Sequence, residues 1–502
     1  MRLRVRSRCV KLGIFRMKQI ANWGLDVTAL HRASYADARI VSQRSRALTT
    51  KNGKVGSAYD AESLGMSVRV IADGAWGFAA SADLGREAVE ATAARAVEIA
   101  RASARVKQQD VRLAPEKPVT AEWTTPYKID PFGVSVEQNI ELLLKIDAEL
   151  RSVAGITLAE TNLNFHREEQ WFVSSEGTDI HQTKLSTGAG YGAYAFAGNE
   201  IQKRSYPTSF GGQWQNKGHE LIDELKLVEN ARRIAEEAVA LHHADQCPEG
   251  TFDIILDSSQ LGLQIHESIG HPIELDRVLG MEANFAGTSF LTLDKLRTLR
   301  YGSDLVNVVA DARQEHGPGL GTFGFDDEGV PAQCALIITD GLFTGYLTSR
   351  ETAHMIGATR SGGTLRADGW NRLPMIRMTN ISLLPGEEPL SLEQLISGTD
   401  HGILMQTNRS WSIDDKRYNF QFGCEIGWEI ENGKRARMLK NPSYSGITTE
   451  FWNSLDAICS RDEWTLWGTP NCGKGQPQQV MGTGHGAAPS RFRGIKVGSA
   501  YR

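Results

Sequence analysis

Apolar positions along this chain follow two periods, and the change from one to the other divides it into segments. Val68-Arg69-Val70-Ile71 alternates as a strand, Asp73-Gly74 supplies a tight turn, and Trp76-Gly77-Phe78-Ala79 resumes as a second strand, which predicts a hairpin. Ser81 or Asp83 then opens an alanine-rich helix to about Arg105, with Leu84, Ala88, Ala91, Ala96 and Ile99 along one side. Upstream, residues 29–46 interleave Leu30, Ala33, Ala36 and Ala38 with arginines. Pro115, Pro118, Pro126 and Pro131 mark the polar stretch 106–134 as a linker. A helix is expected over 136–153, where Leu142, Leu143, Ile146 and Leu150 recur at helical spacing. Residues 157–165, 169–174 and 179–198 read as antiparallel strands, and Tyr191 to Phe196 suits a sheet with one small-residue face. One further long helix is expected over 221–242.

Cys247-Pro248-Glu249-Gly250 marks a second boundary. Beyond it glycine is frequent and the strand-like runs are short, at 305–309, 334–338 and 425–430. The chain is therefore expected to be α+β, with a two-part N-terminal α/β region containing an antiparallel sheet and a mostly β C-terminal metal-binding domain. The expected divisions are a basic extension over 1–28, disordered or preceding the natural start, an α+β domain over 29–112, a middle α+β domain over 130–246, and the metal-binding domain over 250–502.

Composition narrows the picture. A length of 502 residues exceeds what one hydrophobic core supports. The formal net charge of −5 gives no general attraction to nucleic acid or anionic membranes, so neither is expected as a partner. No stretch approaches eighteen uninterrupted apolar residues, so no transmembrane helix is expected. The segment 1–18 carries Arg2, Arg4, Arg6, Arg8, Lys11, Arg16 and Lys18 without an acid, yet lacks the apolar core of a secretory signal. An upstream start codon, with the natural chain beginning at Met17, is preferred to an organellar transit peptide. Six cysteines without paired spacing point to a reduced, cytoplasmic protein and not to a disulfide framework.

The chemistry concentrates in Gln264-Ile265-His266-Glu267-Ser268-Ile269-Gly270-His271-Pro272. Residues 251–256 read as a buried strand and Asp257 or Ser258 as the cap of the helix that delivers His266. Histidines four apart on a helix share a face, but five apart they diverge by about 140°. Gly270 suits a left-handed helix end and Pro272 biases His271 toward extended backbone, so the helix is expected to stop between the histidines. A catalytic zinc site adds a third protein ligand. Cys472, in the Gly- and Pro-rich stretch 471–477, and His485, in Gly484-His485-Gly486, are equal candidates on residue grounds. Glu267 is placed to take a proton from water and pass it to a leaving amine. Glu274 and Asp276 follow closely enough to orient an imidazole, and Arg350 and Asn380 are candidate substrate contacts. The glycine-rich stretch 317–321 lacks the Lys-Ser/Thr of a phosphate loop.

From about Val41 onward the chain resembles the TldD/PmbA family, also called the modulator of DNA gyrase family, on its zinc-bearing TldD side. The resemblance rests on His266-Glu267-Ser268-Ile269-Gly270-His271 with Glu274 and Asp276, on Asp340-Gly341 and Gly345 to Glu351, on Arg377-Met378-Thr379-Asn380, on Glu431-Asn432-Gly433-Lys434, and on Cys472 to Pro477. It implies a metallopeptidase that cuts flexible or unfolded peptides, with zinc held by His266, His271 and Cys472. It also implies a dimer, either of like chains or with a PmbA-like paralogue. The alternatives are a non-catalytic partner subunit and a nucleic-acid-associated regulator.

Overall fold

The computed structural model describes residues 2–499, with backbone alone for 2–15 and 499. A helix α1 (Arg2–Leu30) leads into two long strands, β1 (Tyr35–Lys51) and β2 (Lys54–Ala72), then β3 (Ala75–Ser81) and α2 (Arg86–Ala104). The expected hairpin forms between β2 and β3, with Asp73 and Gly74 both at positive φ. The second part continues with β4 (Thr120–Thr124), α3 (Val136–Arg151), β5 (Ile156–Ser174), β6 (Asp179–Ala197), β7 (Glu200–Tyr206), β8 (Gln213–Gln215), α4 (Glu220–Glu224) and α5 (Leu227–Ala240). The long helix expected over 221–242 is interrupted between α4 and α5, where Lys226 adopts a left-handed φ of 51°. Residues 157–165 and 169–174 are not two strands but one, β5, which pairs with β1 over 15 positions.

Residues 29–112 and 130–246 share a single eight-stranded sheet of order β3-β2-β1-β5-β6-β4, with β7 and β8 also on β6, and the stretch 106–134 expected as a linker supplies its strand β4. Its alternation assigns the two faces. Even positions of β1 and odd positions of β5 and β6 point toward helices. Ala36, Ala38, Ile40, Trp171 and Val173 pack with α1 and α2 at one end, and Leu48, Leu163, Phe165 and Tyr191 pack with α3 and α5 at the other. Ile20 and Ala21 of α1 are buried there, so residues 17–28 belong to the fold and are not a disordered extension. The side chains of 2–15 lie outside the described residues.

The opposite face of the same sheet meets the C-terminal half. In that half, strands 250–256, 401–413, 419–431, 442–447 and 490–499 pair in a ring, because 401–413 bonds both to 250–256 and to 419–431. A four-stranded sheet, including Val308–Asp311 and Cys334–Thr339, and a hairpin of Thr465–Lys474 with Gln479–Ala487 complete it. The fold is α+β with a mostly β C-terminal part. Among the described residues no helix is long and apolar enough to cross a membrane.

Candidate metal centre

The strand Gly250–Leu256 runs between two neighbours at the centre of its sheet, and Asp257 ends it by accepting a hydrogen bond from Gln260 N at 2.8 Å. That cap starts the helix Ser258–Ile265, all but its first residue buried. The helix does not stop between the histidines. His266–Gly270 forms one wider turn, closed by His271 N donating to His266 O at 3.1 Å, and His271 itself is helical, with φ −67° and ψ −43°. A bond spanning five residues takes the extra residue into the turn and brings the two imidazoles back to one side, with ring centroids 4.8 Å apart. Gly270 and Pro272 therefore do not act as expected. Gly270 is needed for contact: a Cβ there would meet Met378 Sδ at 2.1 Å.

Each imidazole is held through Nδ1. His271 Nδ1 lies 3.0 Å from Glu274 Oε2, a carboxylate that can only accept. His485 Nδ1 faces the Ile381 carbonyl at 3.3 Å and so carries the proton, which leaves His485 Nε2 to accept from His266 Nδ1 at 2.7 Å. Both His266 and His271 thus keep a bare Nε2. Cys472 Sγ sits 3.7 Å from His271 Nε2, and one donor atom each from His266, His271 and Cys472 lies within 4.8 Å of the others, all buried. Zinc bonds of about 2.0–2.3 Å can draw such a set around one ion.

The electrostatics favour the neutral rings and the ionised thiol that a metal would require. Burial lowers the pKa of His266, of His271 and, most strongly, of His485, so the rings are neutral. Burial would raise the Cys472 thiol, but Arg377 and His271 outweigh it and pull its pKa below the ordinary value. Burial also opposes ionisation of Glu274, yet Lys474, His271 and Arg277 hold its carboxyl well below the usual range.

The remaining expected residues separate. Glu267 is buried beside the triad, its Oε2 2.6 Å from Arg417 Nη1, while its Oε1 accepts no hydrogen bond among the described residues. Asp276 does not touch an imidazole. It accepts from Lys474 Nζ at 2.7 Å, which ties the helix Leu275–Val278 to the strand bearing Cys472. Arg350 is not placed to meet a substrate: its guanidinium is committed to Glu176 at 2.7 and 3.0 Å and to the Ala114 carbonyl. Asn380 is likewise fully buried, donating to Asp311 O and Thr322 Oγ1 and accepting from Gly321 N. The arginines that do reach the site, Arg417 on Glu267 and Arg377 on the Cys472 carbonyl, were not singled out from the sequence. Arg377 stands in a stretch the resemblance had marked, whereas Arg417 carries no local signal.

Comparison with known proteins places most of the chain. Residues 249–499 match the PmbA/TldA metallopeptidase C-terminal domain, residues 36–100 its domain 1 and residues 129–241 its central domain. A metalloprotease of Methanocaldococcus jannaschii is 29% identical over 459 residues, covering 91% of this chain and 96% of its own. A zinc metalloprotease TldD homologue of Saccharolobus solfataricus is 29% identical over 250 residues, half of this chain and 52% of its own. Among solved structures, a candidate modulator of DNA gyrase from Thermotoga maritima superimposes with a TM-score of 0.75 at 18% identity, covering 96% of this chain and all of that one. TldE from Thermococcus kodakarensis gives 0.68 at 15%, covering 96% and 99%. With all three family domains matched in order, the chain belongs to the PmbA/TldA metallopeptidase family.

Proposed function

We propose that the protein is a zinc-dependent peptidase acting on flexible or unfolded peptides, with His266, His271 and Cys472 as the metal ligands. The observation that carries this is the convergence of two bare imidazole nitrogens and one acidified thiol in a buried cluster. Two neutral rings and a thiolate leave the site one net positive charge, the donor set of a hydrolytic zinc centre. A zinc ion bound there would supply Lewis acidity, polarising a peptide carbonyl and acidifying a water. Glu267 would receive the proton at Oε1 and return it to the departing amine, with Arg417 fixing the carboxylate through Oε2. Glu274 and His485 fix the orientation and tautomer of the two rings. A non-catalytic partner subunit would have no use for so complete a donor set. The zinc metalloprotease name of the Saccharolobus relative supports the choice of metal.

Metal content and peptide hydrolysis of purified variants test this. Wild type is expected to carry about one zinc per chain, and Cys472→Ala or His271→Ala to carry none. Glu267→Gln should keep the metal and lose turnover by about 10²–10⁴-fold. Full activity in that variant would remove the carboxylate from the reaction, and metal binding that survives loss of Cys472 but not of His485 would reassign the third ligand.

A further inference from the structure

The widened turn that carries both histidines leaves one main-chain acceptor without a helical donor. In a regular helix the carbonyl of Ser268 accepts from the N–H four residues on, and that residue is Pro272, which has none. A proline ring also crowds the carbonyl four residues before it, so a wider turn is easier to form there than a regular one. Ile273 N donates to Ile269 O at 3.3 Å, and Ser268 is passed over. Ser268 is fully buried, where a bare carbonyl has no water to turn to.

The donor comes from outside the helix. Tyr301, also fully buried, gives its hydroxyl proton to Ser268 O. The backbone behind it is tied down: Tyr301 N and Gly302 N both donate to Gly341 O, at 2.7 and 3.2 Å, and a Cβ on Gly341 would meet Gly302 O at 2.3 Å. The side chain of Ser268 is held as well. Its Oγ donates to Gln264 O at 2.6 Å and accepts from Gln264 Nε2 at 3.1 Å and from Trp452 Nε1 at 3.0 Å, which uses its one proton and both lone pairs. Trp452 O in turn accepts from Ser303 N at 3.1 Å, so the two residues that reach Ser268 from outside the helix belong to one bonded unit.

We propose that Tyr301 and Trp452 are positioning residues of the metal centre, a clamp on Ser268 that keeps the turn wide and so keeps the His266 and His271 rings on one side. This rests on the assignment of those two rings as ligands. Two turns compete. A regular one would set the histidines about 140° apart, whereas the wide one brings their centroids to 4.8 Å. The Tyr301 hydroxyl can bond only to a Ser268 carbonyl that is not engaged along the helix, so it adds to the stability of the wide turn and not to that of a regular one. Loss of the hydroxyl therefore changes the angle between the rings while leaving all three donors in the chain. Tyr301 and Trp452 act through Ser268 and take no part in the chemistry themselves.

Tyr301→Phe removes the hydroxyl alone. Tyr346→Phe is the matched control, because that buried hydroxyl bonds to the Leu291 and Thr292 carbonyls and not to the turn. Zinc affinity is read by chelator competition, ligand geometry by the visible absorption of the protein loaded with Co²⁺, and stability by chemical unfolding of the metal-free chain. Tyr301→Phe should bind zinc about tenfold more weakly and shift the cobalt bands, with the amount of metal bound at saturation unchanged. Tyr346→Phe should lower the unfolding midpoint and leave both metal readouts as in wild type. Adding Pro272→Ala to Tyr301→Phe gives Ser268 O a helical donor again: the midpoint should recover while zinc affinity falls further, as the turn tightens. A tyrosine that serves stability alone predicts the reverse, affinity recovering together with the midpoint. Wild-type affinity and spectrum in Tyr301→Phe, or equal metal losses in Tyr346→Phe, overturn the proposal and leave the zinc assignment intact. Wild-type protein that binds neither zinc nor cobalt overturns that assignment, and the clamp with it. Should Tyr301→Phe fail to fold, Ser268→Ala, which frees the turn from Trp452 and the Gln264 side chain, is read in the same way and decides.

Discussion

Glu274 shows how much of the candidate metal centre lies outside its three proposed donors. It is fully buried, with one oxygen on His271 and Lys474 and Arg277 alongside, and its other oxygen has no hydrogen-bond partner among the described residues. The carboxylate charge therefore does two things: it fixes the His271 proton on Nδ1 and raises the ring's basicity at Nε2. Glu274→Gln keeps the shape and loses the charge, and zinc affinity should fall about 10–100-fold in chelator competition, without loss of stoichiometry at saturating metal. Unchanged affinity would reduce Glu274 to a structural acid. At this scale the sequence was informative where partners are close along the chain. His266, Glu267, His271 and Glu274 fall within nine positions, and the structure brings them together. His485 was recognisable as belonging to the site, but spacing says nothing about which ring nitrogen faces which neighbour. Its bond to His266 Nδ1 makes it a support. Arg417 pairs with Glu267 across 150 residues, and no local pattern announces such a pair.

One level up, the turn His266–Gly270 decides whether the centre can form. A regular helix would point the histidines apart, and the wider turn returns them to one side without ending the helix. Single-turn widenings of this kind have no sequence signature comparable to a cap, so Gly270 and Pro272 suggested a stop instead. The glycine serves Met378. Gly270→Ala drives a methyl to 2.1 Å from Met378 Sδ, too close without displacement, and should cost about 1–3 kcal/mol in chemical unfolding. Met378→Ala alone should also destabilise, by about 2–5 kcal/mol, because the residue is fully buried. The double variant should cost less than the sum, since one change removes the atom the other strikes; strict additivity would mean the close approach is not what excludes a side chain. The long strands β1 and β2 were obscured for a related reason. Their inward positions carry Ala36, Ala38 and Ile40, but the intervening Asp37 and Arg39 are themselves buried as ion pairs, which blurs the polar half of the alternation.

Across the molecule, the joint between the helix-covered sheet and the C-terminal half is built largely from buried charge. Asp37 pairs with Arg69 at 2.7 Å, Arg69 lies 3.9 Å from Glu328, Arg39 pairs with Asp327 at 3.3 Å, and the buried Arg350 reaches out to the exposed Glu176 at 2.7 Å. None of these pairs was legible in advance, because each joins segments more than thirty residues apart and such pairs follow register and docking, not composition. Within the joint, Asp326 and Glu328 are both fully enclosed. Burial raises each carboxyl, and for Glu328, opposed by Arg69 and Arg350, the value reached is about 7. An unfolded glutamate titrates near 4.5. Between about pH 4.5 and pH 7 Glu328 therefore binds more proton in the folded protein than in the unfolded chain, and its contribution to stability falls as pH rises through that window. Glu328→Gln retains an acceptor for the Arg350 N–H and cannot ionise. Thermal midpoints of wild type and Glu328→Gln should then move apart in the variant's favour from pH 5 to pH 7.5. Parallel pH profiles would mean that Glu328 stays ionised in the folded protein, its carboxylate compensated by Arg69 and Arg350 throughout that range.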